Sequence, residues 1–197
     1  RIPSHAIFVL DISGSMEGNR LRDLKQALVG LTGVDSSLTG QFSRFRNREQ
    51  LTLMPFSSVV HDVRGFSITD VATDSQSMQS IRDYVDGLNT QGGTAIYSSL
   101  QQAYLFAQDA RKTNPDLYYS IVLMSDGENN EGISSDEFTT FYNSLPAEAQ
   151  SVRTFSILFG DANEKAMTAI AELTNGRMFN AKSESLGVIF KQIRGYQ

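Results

Sequence analysis

The chain of 197 residues contains no cysteine, and that single absence removes disulfides, thiolate chemistry and thiolate zinc sites together. Its two histidines, His5 and His61, are too few for a histidine-rich metal centre. Positive charge is in short supply as well: 17 Lys and Arg stand against 22 Asp and Glu, a formal net charge of −5. A surface of that sign excludes non-specific nucleic-acid binding, which depends on neutralising phosphates. No apolar run approaches the length of a membrane span and no signal peptide opens the chain, so no direct membrane insertion is expected. Internal repeats and low-complexity tracts are also missing. The start at Arg1-Ile2-Pro3 has no initiator Met, which points to one domain, 1–197, excised from a larger protein.

What is present is ordinary globular usage. Forty per cent of residues are apolar and 20% are charged, enough for a sizeable core within one domain. Ala6-Ile7-Phe8-Val9-Leu10 is a continuous apolar run, the pattern of a strand covered on both faces. A polar turn, Asp11 to Asn19, follows, and then Leu21, Leu24, Leu28 and Leu31 recur at helical spacing. Strand, polar loop and helix open a βαβ unit. Thr39 to Gln50 is a polar stretch carrying Arg44, Arg46 and Arg48, which read as a hydrated loop ahead of the alternative of a partner-facing basic patch. Leu51 to Phe56 is a second strand, in which Pro55 marks an end or irregularity. Val59 to Ile68 is a third strand, expected antiparallel at a sheet edge.

Farther along, Met78, Ile81, Val85 and Leu88 mark a helix, and Ile96, Leu100, Ala103 and Ala107 mark another. Tyr118 to Met124 is a buried strand. Ser134 with Glu137 has the form of a capping box that opens a helix through Leu145, ended by Pro146. Thr154 to Phe159, Asn163 to Thr174, Arg177 to Asn180 and Ser185 to Arg194 read as strand, helix, short edge strand and helix. This alternation predicts a mostly parallel sheet with helices on both faces; the arrangement taken for it is a doubly wound α/β fold, six strands in the order 3-2-1-4-5-6 with one antiparallel edge strand.

Three pieces of the sequence carry chemistry. Asp11-Ile12-Ser13-Gly14-Ser15 lies just past the first strand, with one carboxylate and two hydroxyls at alternate positions. Gly14 permits a tight turn around an ion, and hard cations take oxygen ligands of these kinds. By itself the pattern fits a strand-ending Asx or Ser turn equally well. Ser125-Asp126-Gly127 follows another buried strand. In the expected sheet order the first and fourth strands are neighbours at the switch point, so Asp11 and Asp126 face one crevice. Two carboxylates brought together in this way call for a cation. Gly92-Gly93-Thr94 opens a helix; taken alone, Thr94 reads first as an N-cap, although the paired glycines allow its hydroxyl to reach the same crevice.

In this order and these contexts, the three pieces resemble the metal-ion-dependent adhesion site of von Willebrand factor A domains, and the resemblance covers essentially the whole chain. The D-x-S-x-S motif of that family is matched by Asp11, Ser13 and Ser15, its central threonine by Thr94 and its second aspartate by Asp126. Flanking stretches agree too: Phe8-Val9-Leu10, Gly93-Thr94-Ala95-Ile96-Tyr97, Val122-Leu123-Met124-Ser125-Asp126-Gly127 and Phe159-Gly160, with the look of bacterial members.

The resemblance implies one divalent cation, Mg²⁺ first, with Mn²⁺ or Ca²⁺ as alternatives. The five side chains would hold it, some directly and some through water, and a partner protein would supply an Asp or Glu to the outward position. The expected function is a metal-dependent protein–protein interaction or adhesion module, in an extracytoplasmic setting (cell surface or periplasm) rather than the cytoplasm. The alternative is a regulatory or scaffold domain of a bacterial multi-component assembly.

Glu17, Glu128, Asn129, Glu131 and Asp161 read as a solvated rim, and Met16 as packing beneath the turn. A metal-dependent phosphohydrolase is the enzymatic rival, but Ser13 stands where its second acid is needed. Ile133 replaces the lysine of a P-loop, and no G-x-S-x-G elbow occurs. No enzyme is expected.

Overall fold

The computed structural model describes residues 3–196; the expectation drawn from Arg1 and Ile2 lies outside the described residues. Six strands form one sheet: β1 (Ser4–Asp11), β2 (Gln50–Phe56), β3 (Arg64–Ser67), β4 (Tyr118–Ser125), β5 (Arg153–Leu158) and β6 (Met178–Asn180). Their order is β3-β2-β1-β4-β5-β6. Among the described residues, only the β2–β3 strand pair is antiparallel. The expected architecture and order are those observed.

The helices are α1 (Asn19–Val29), α2 (Leu38–Ser43), α3 (Gln76–Asp86), α4 (Ile96–Thr113), α5 (Ser135–Ser144), α6 (Ala147–Gln150), α7 (Glu164–Leu173) and α8 (Leu186–Gly195). Alternate residues of a strand point to opposite faces, and β1 shows why its run is apolar throughout. Phe8 and Leu10 join the core formed with Leu24 and Leu28 of α1, Ile81 of α3 and Phe190 of α8. Ile7 and Val9 enter the core of the other face, with Leu100 of α4, Phe138 of α5 and Met167 of α7.

Helix α2 runs into the polar stretch from Thr39, its first turn capped by the Ser37 hydroxyl, which accepts from Gly40 N at 3.0 Å; Arg44, Arg46 and Arg48 follow it in the loop expected for them. One local expectation is corrected. The third strand is shorter than Val59 to Ile68. Its pairing with β2 ends at Leu53↔Arg64, so Pro55 lies beyond the last β2–β3 pair although β2 itself continues to Phe56. Arg44, Arg46 and Arg48 precede β2, at the amino ends of the strands and away from the crevice expected to hold the site.

Candidate metal centre

The site follows from the sheet order. β1 and β4 are parallel neighbours, with Leu10 opposite Met124. The chain leaves β1 toward α1 on one face and β4 toward α5 on the other, so their loops part and leave a crevice at the carboxyl ends. Asp11, the last residue of β1, and Asp126, just past β4, sit in that crevice, each 0% exposed.

Every carboxylate oxygen there is held. Asp11 Oδ1 accepts from the Ser13 backbone N–H at 2.8 Å and Oδ2 from the Ser125 hydroxyl at 2.6 Å. Asp126 Oδ1 accepts from Glu128 N at 3.2 Å and Oδ2 from Arg20 Nη1 at 2.9 Å. Burial pushes the Asp11 carboxyl up to about 6. Hydrogen bonds from Ser125 and Ser13 oppose that rise, whereas the negative charge of Asp126 adds to it. The two carboxylates therefore raise each other's electrostatic cost, which a cation between them would relieve.

The turn after Asp11 brings the Ser13 and Ser15 hydroxyls 3.1 Å apart. Ser13 is buried and Ser15 exposed, so the pair leads from the crevice to solvent. Met16 is fully buried beneath the turn, the packing role expected of it. Backbone bonds bind this turn to the loop before α4: Gly14 N donates to Gly92 O at 3.1 Å and Gln91 N to Ile12 O at 2.8 Å. Gly92 has φ +65°, and a Cβ on Gly93 would fall 2.4 Å from Glu131 Oε1. The paired glycines thus serve the close approach expected of them.

Thr94, 1% exposed, is not the helix cap. The N-cap of α4 is Ala95, with no side-chain cap of its own. The β4–α5 loop caps the helix instead: Asn129 Oδ1 accepts from Ile96 N and Asn130 Oδ1 from Thr94 N, both at 2.8 Å. The Thr94 carbonyl in turn accepts from Asn130 N and Glu131 N. This frees the Thr94 side chain from capping and corrects the reading of Asn129 as a solvated rim residue. Glu17, Glu128, Glu131 and Asp161 are exposed, and Asp161 pairs with Lys182.

Sequence reasoning missed four contributors. Ser125 and the two asparagines were legible only as neighbours of Asp126. Arg20 had a faint signal, a cation in the first turn of α1 where the helix dipole favours an anion. His61 Nε2 lies 2.6 Å from the Ser57 hydroxyl, which is buried.

Among the described residues no three His, Cys, Asp or Glu side chains gather to hold a metal. The oxygens gathered in the crevice are those of the Asp11 and Asp126 carboxylates and the Ser13 and Ser15 hydroxyls. All-oxygen donors of that kind fit a hard divalent ion.

Comparison with known proteins identifies the family and the fold. The family model described as von Willebrand factor type A domain matches residues 6–192. Inter-alpha-trypsin inhibitor heavy chain H2 of Mesocricetus auratus is 28% identical over 130 residues, 64% of this chain. The chain spans only 12% of that relative's length. Among solved structures, the von Willebrand factor type A protein from Catenulispora acidiphila superimposes with a TM-score of 0.70 at 18% identity, covering 98% of this chain and 42% of that one. Proximal thread matrix protein 1 from the mussel byssus, solved with a zinc-occupied MIDAS motif, gives 0.61 at 21% identity, covering 98% and 47%. Manganese-loaded TRAP protein of Plasmodium vivax gives 0.62 at 18%, covering 96% and 73%. At these identities the structural likenesses show the fold.

Proposed function

Because this chain belongs to the von Willebrand factor type A domain family, we propose that it is a divalent-metal-dependent protein-interaction module. Asp11, Ser13, Ser15, Thr94 and Asp126 would hold the cation, and an acidic side chain of a partner protein would complete its shell. The observation that carries this reading is the convergence of two fully buried carboxylates on a hydroxyl pair that opens to solvent. Arg20 is the counter-ion of Asp126, and a second buried carboxylate beside that pair is costly without a further cation.

A divalent cation supplies Lewis acidity toward an incoming carboxylate. The residues set how much of it is left over. Asp11 and Asp126 offset the double charge, while Ser13, Ser15 and Thr94 ligate without adding any. Exposed Ser15 marks the side from which a partner approaches. Mg²⁺ is the first choice for an all-oxygen set; zinc and manganese in two of the solved relatives support a divalent ion in general. The module is read as an interaction domain rather than an enzyme. An extracytoplasmic setting is favoured, in keeping with the matrix protein among its structural neighbours.

Calorimetric titration of Mg²⁺, Mn²⁺ and Ca²⁺ into metal-stripped protein tests the centre. One binding event that disappears in both Asp11→Ala and Asp126→Ala is the expected result. Binding that survives in both variants places the ion elsewhere and removes the basis of the proposal. A cell-extract pull-down set against matrix binding, each with and without EDTA, separates an adhesion role from a scaffold in an intracellular assembly.

A further inference from the structure

Arg20 is a cation that the proposed ligand set does not need and its own helix does not favour. It stands in the first turn of α1, where the free N–H groups make the potential positive and an acidic side chain is the stabilising choice. Its guanidinium nevertheless turns back over the crevice. Nη1 donates to Asp126 Oδ2 at 2.9 Å and to the Ser15 carbonyl at 3.0 Å.

The position is a built one. Gly160 has φ +85°, and a Cβ there would fall 2.6 Å from Arg20 Nε and 3.0 Å from Cζ. The planar group therefore lies against bare backbone from the loop after β5, where only glycine leaves it room. The Arg20 side chain is 35% exposed and that of Asp126 is 0% exposed. A half-shielded guanidinium on a fully buried carboxylate differs from a solvated surface bridge, which contributes little. With Glu128 N on Oδ1, the protein's own donors already engage both oxygens of Asp126.

We infer that Arg20 is a resident counter-cation of the metal centre: it holds the Asp126 carboxylate in competition with a divalent cation and so lowers the affinity of the site for one. The inference rests on the metal-centre reading above. Its physical content is direct. A fixed unit charge within a few ångströms of a divalent ion opposes its entry, and a carboxylate paired with a guanidinium offers that ion less charge. In the stripped protein the same contact spares a buried carboxylate from standing unpaired. In the loaded protein it leaves the centre under-neutralised, and so more attractive to a carboxylate from outside.

Two measurements on the same variants decide the matter: the calorimetric Mg²⁺ affinity of stripped protein, and its thermal midpoint with and without saturating Mg²⁺. Arg20→Gln keeps an amide donor and removes the charge; Arg20→Lys keeps the charge. Arg20→Gln is expected to bind Mg²⁺ roughly tenfold more tightly, the scale of one nearby charge partly screened by solvent. Arg20→Lys stays near the parent. Stripped Arg20→Gln melts several degrees lower, and saturating Mg²⁺ removes the difference.

If Arg20→Gln does not fold, Gly160→Ala, which displaces the guanidinium while retaining it, is expected to tighten Mg²⁺ binding in the same sense. Unchanged or weaker Mg²⁺ affinity in the folded variant, with the parent binding normally, overturns the inference and leaves the metal centre standing. Absence of Mg²⁺ binding in the parent overturns both.

Discussion

His5, at the amino end of β1, is sealed far along the strand from Asp11. Its Nε2 lies 2.8 Å from Thr52 Oγ1, and its ring stacks on Tyr119 and meets the edge of Phe106. Burial pushes its pKa down to about 4, below the value of about 6.5 in an unfolded chain. The folded state therefore keeps this ring neutral after the unfolded chain has taken up its proton. Stability is lost as pH falls from about 6.5 to about 4, reaching about 3 kcal/mol at the acid end. Asp11 works in the opposite sense, because its folded pKa of about 6 is raised. In metal-free protein it lowers stability as pH rises from the unfolded carboxylate value toward 6. Denaturant midpoints across this range, measured in the Asp11→Asn background, are expected to fall on acidification and to flatten when His5→Gln is added.

Asp11 carries a second prediction at the same scale. Asp11→Asn removes a buried charge while keeping a side chain that can reach Ser13 and Ser125. At pH 7 the metal-stripped variant is expected to be more stable than the parent by about 1–2 kcal/mol, whereas added Mg²⁺ no longer raises its melting temperature. A stripped variant clearly less stable than the parent would mean that the Asp11 charge is already compensated without metal.

At the scale of elements, α4 and α5 show two ways of starting a helix. In α5 the Ser134 hydroxyl accepts from Glu137 N while Glu137 returns a bond to Ser134 N. That capping box was legible because both members lie within one turn. The cap of α4 comes from Asn129, 33 residues away in sequence, and no local pattern could reveal it. The difference has a measurable consequence. Asn129→Ala and Ser134→Ala are each expected to cost about 1 kcal/mol of stability, the usual worth of a cap. Only Asn129→Ala should also weaken Mg²⁺ binding, because its loop holds Thr94 in place. Equal Mg²⁺ affinities in the two variants would detach the α4 cap from the metal centre.

Helix α2 illustrates a different gap in legibility. Its Leu38 and Phe42 are 76% and 55% exposed, so the apolar periodicity that marks a buried helix face is missing. Its place is set by close packing instead: a Cβ on Gly40 would fall 2.4 Å from Asp35, and one on Gly187 of α8 would fall 2.9 Å from Thr39.

Across the whole molecule, the last helix is tied to the first quarter of the chain by Arg194. Its guanidinium pairs with both oxygens of Glu49, just before β2, and Nε donates to the Ser43 carbonyl. The two side chains are 13% and 14% exposed, so removing one charge strands the other in a shielded place. Glu49→Gln is expected to lower stability by about 3 kcal/mol without altering Mg²⁺ stoichiometry. Chemical denaturation and calorimetry read those two effects separately.

The sequence by itself determined the layered α/β architecture, the strand order and the two carboxylates of the crevice. The layers follow from local periodicity and the handedness of parallel crossovers; the strand order, one of the common doubly wound orders, came with the resemblance of the motifs, and it brings the two carboxylates to one switch point. Only the tertiary structure decided what holds the oxygens of those carboxylates. Ser125, Arg20 and the asparagines of the β4–α5 loop come from separate segments, and hydrogen bonds between segments depend on ångström-scale placement that a residue pattern does not encode.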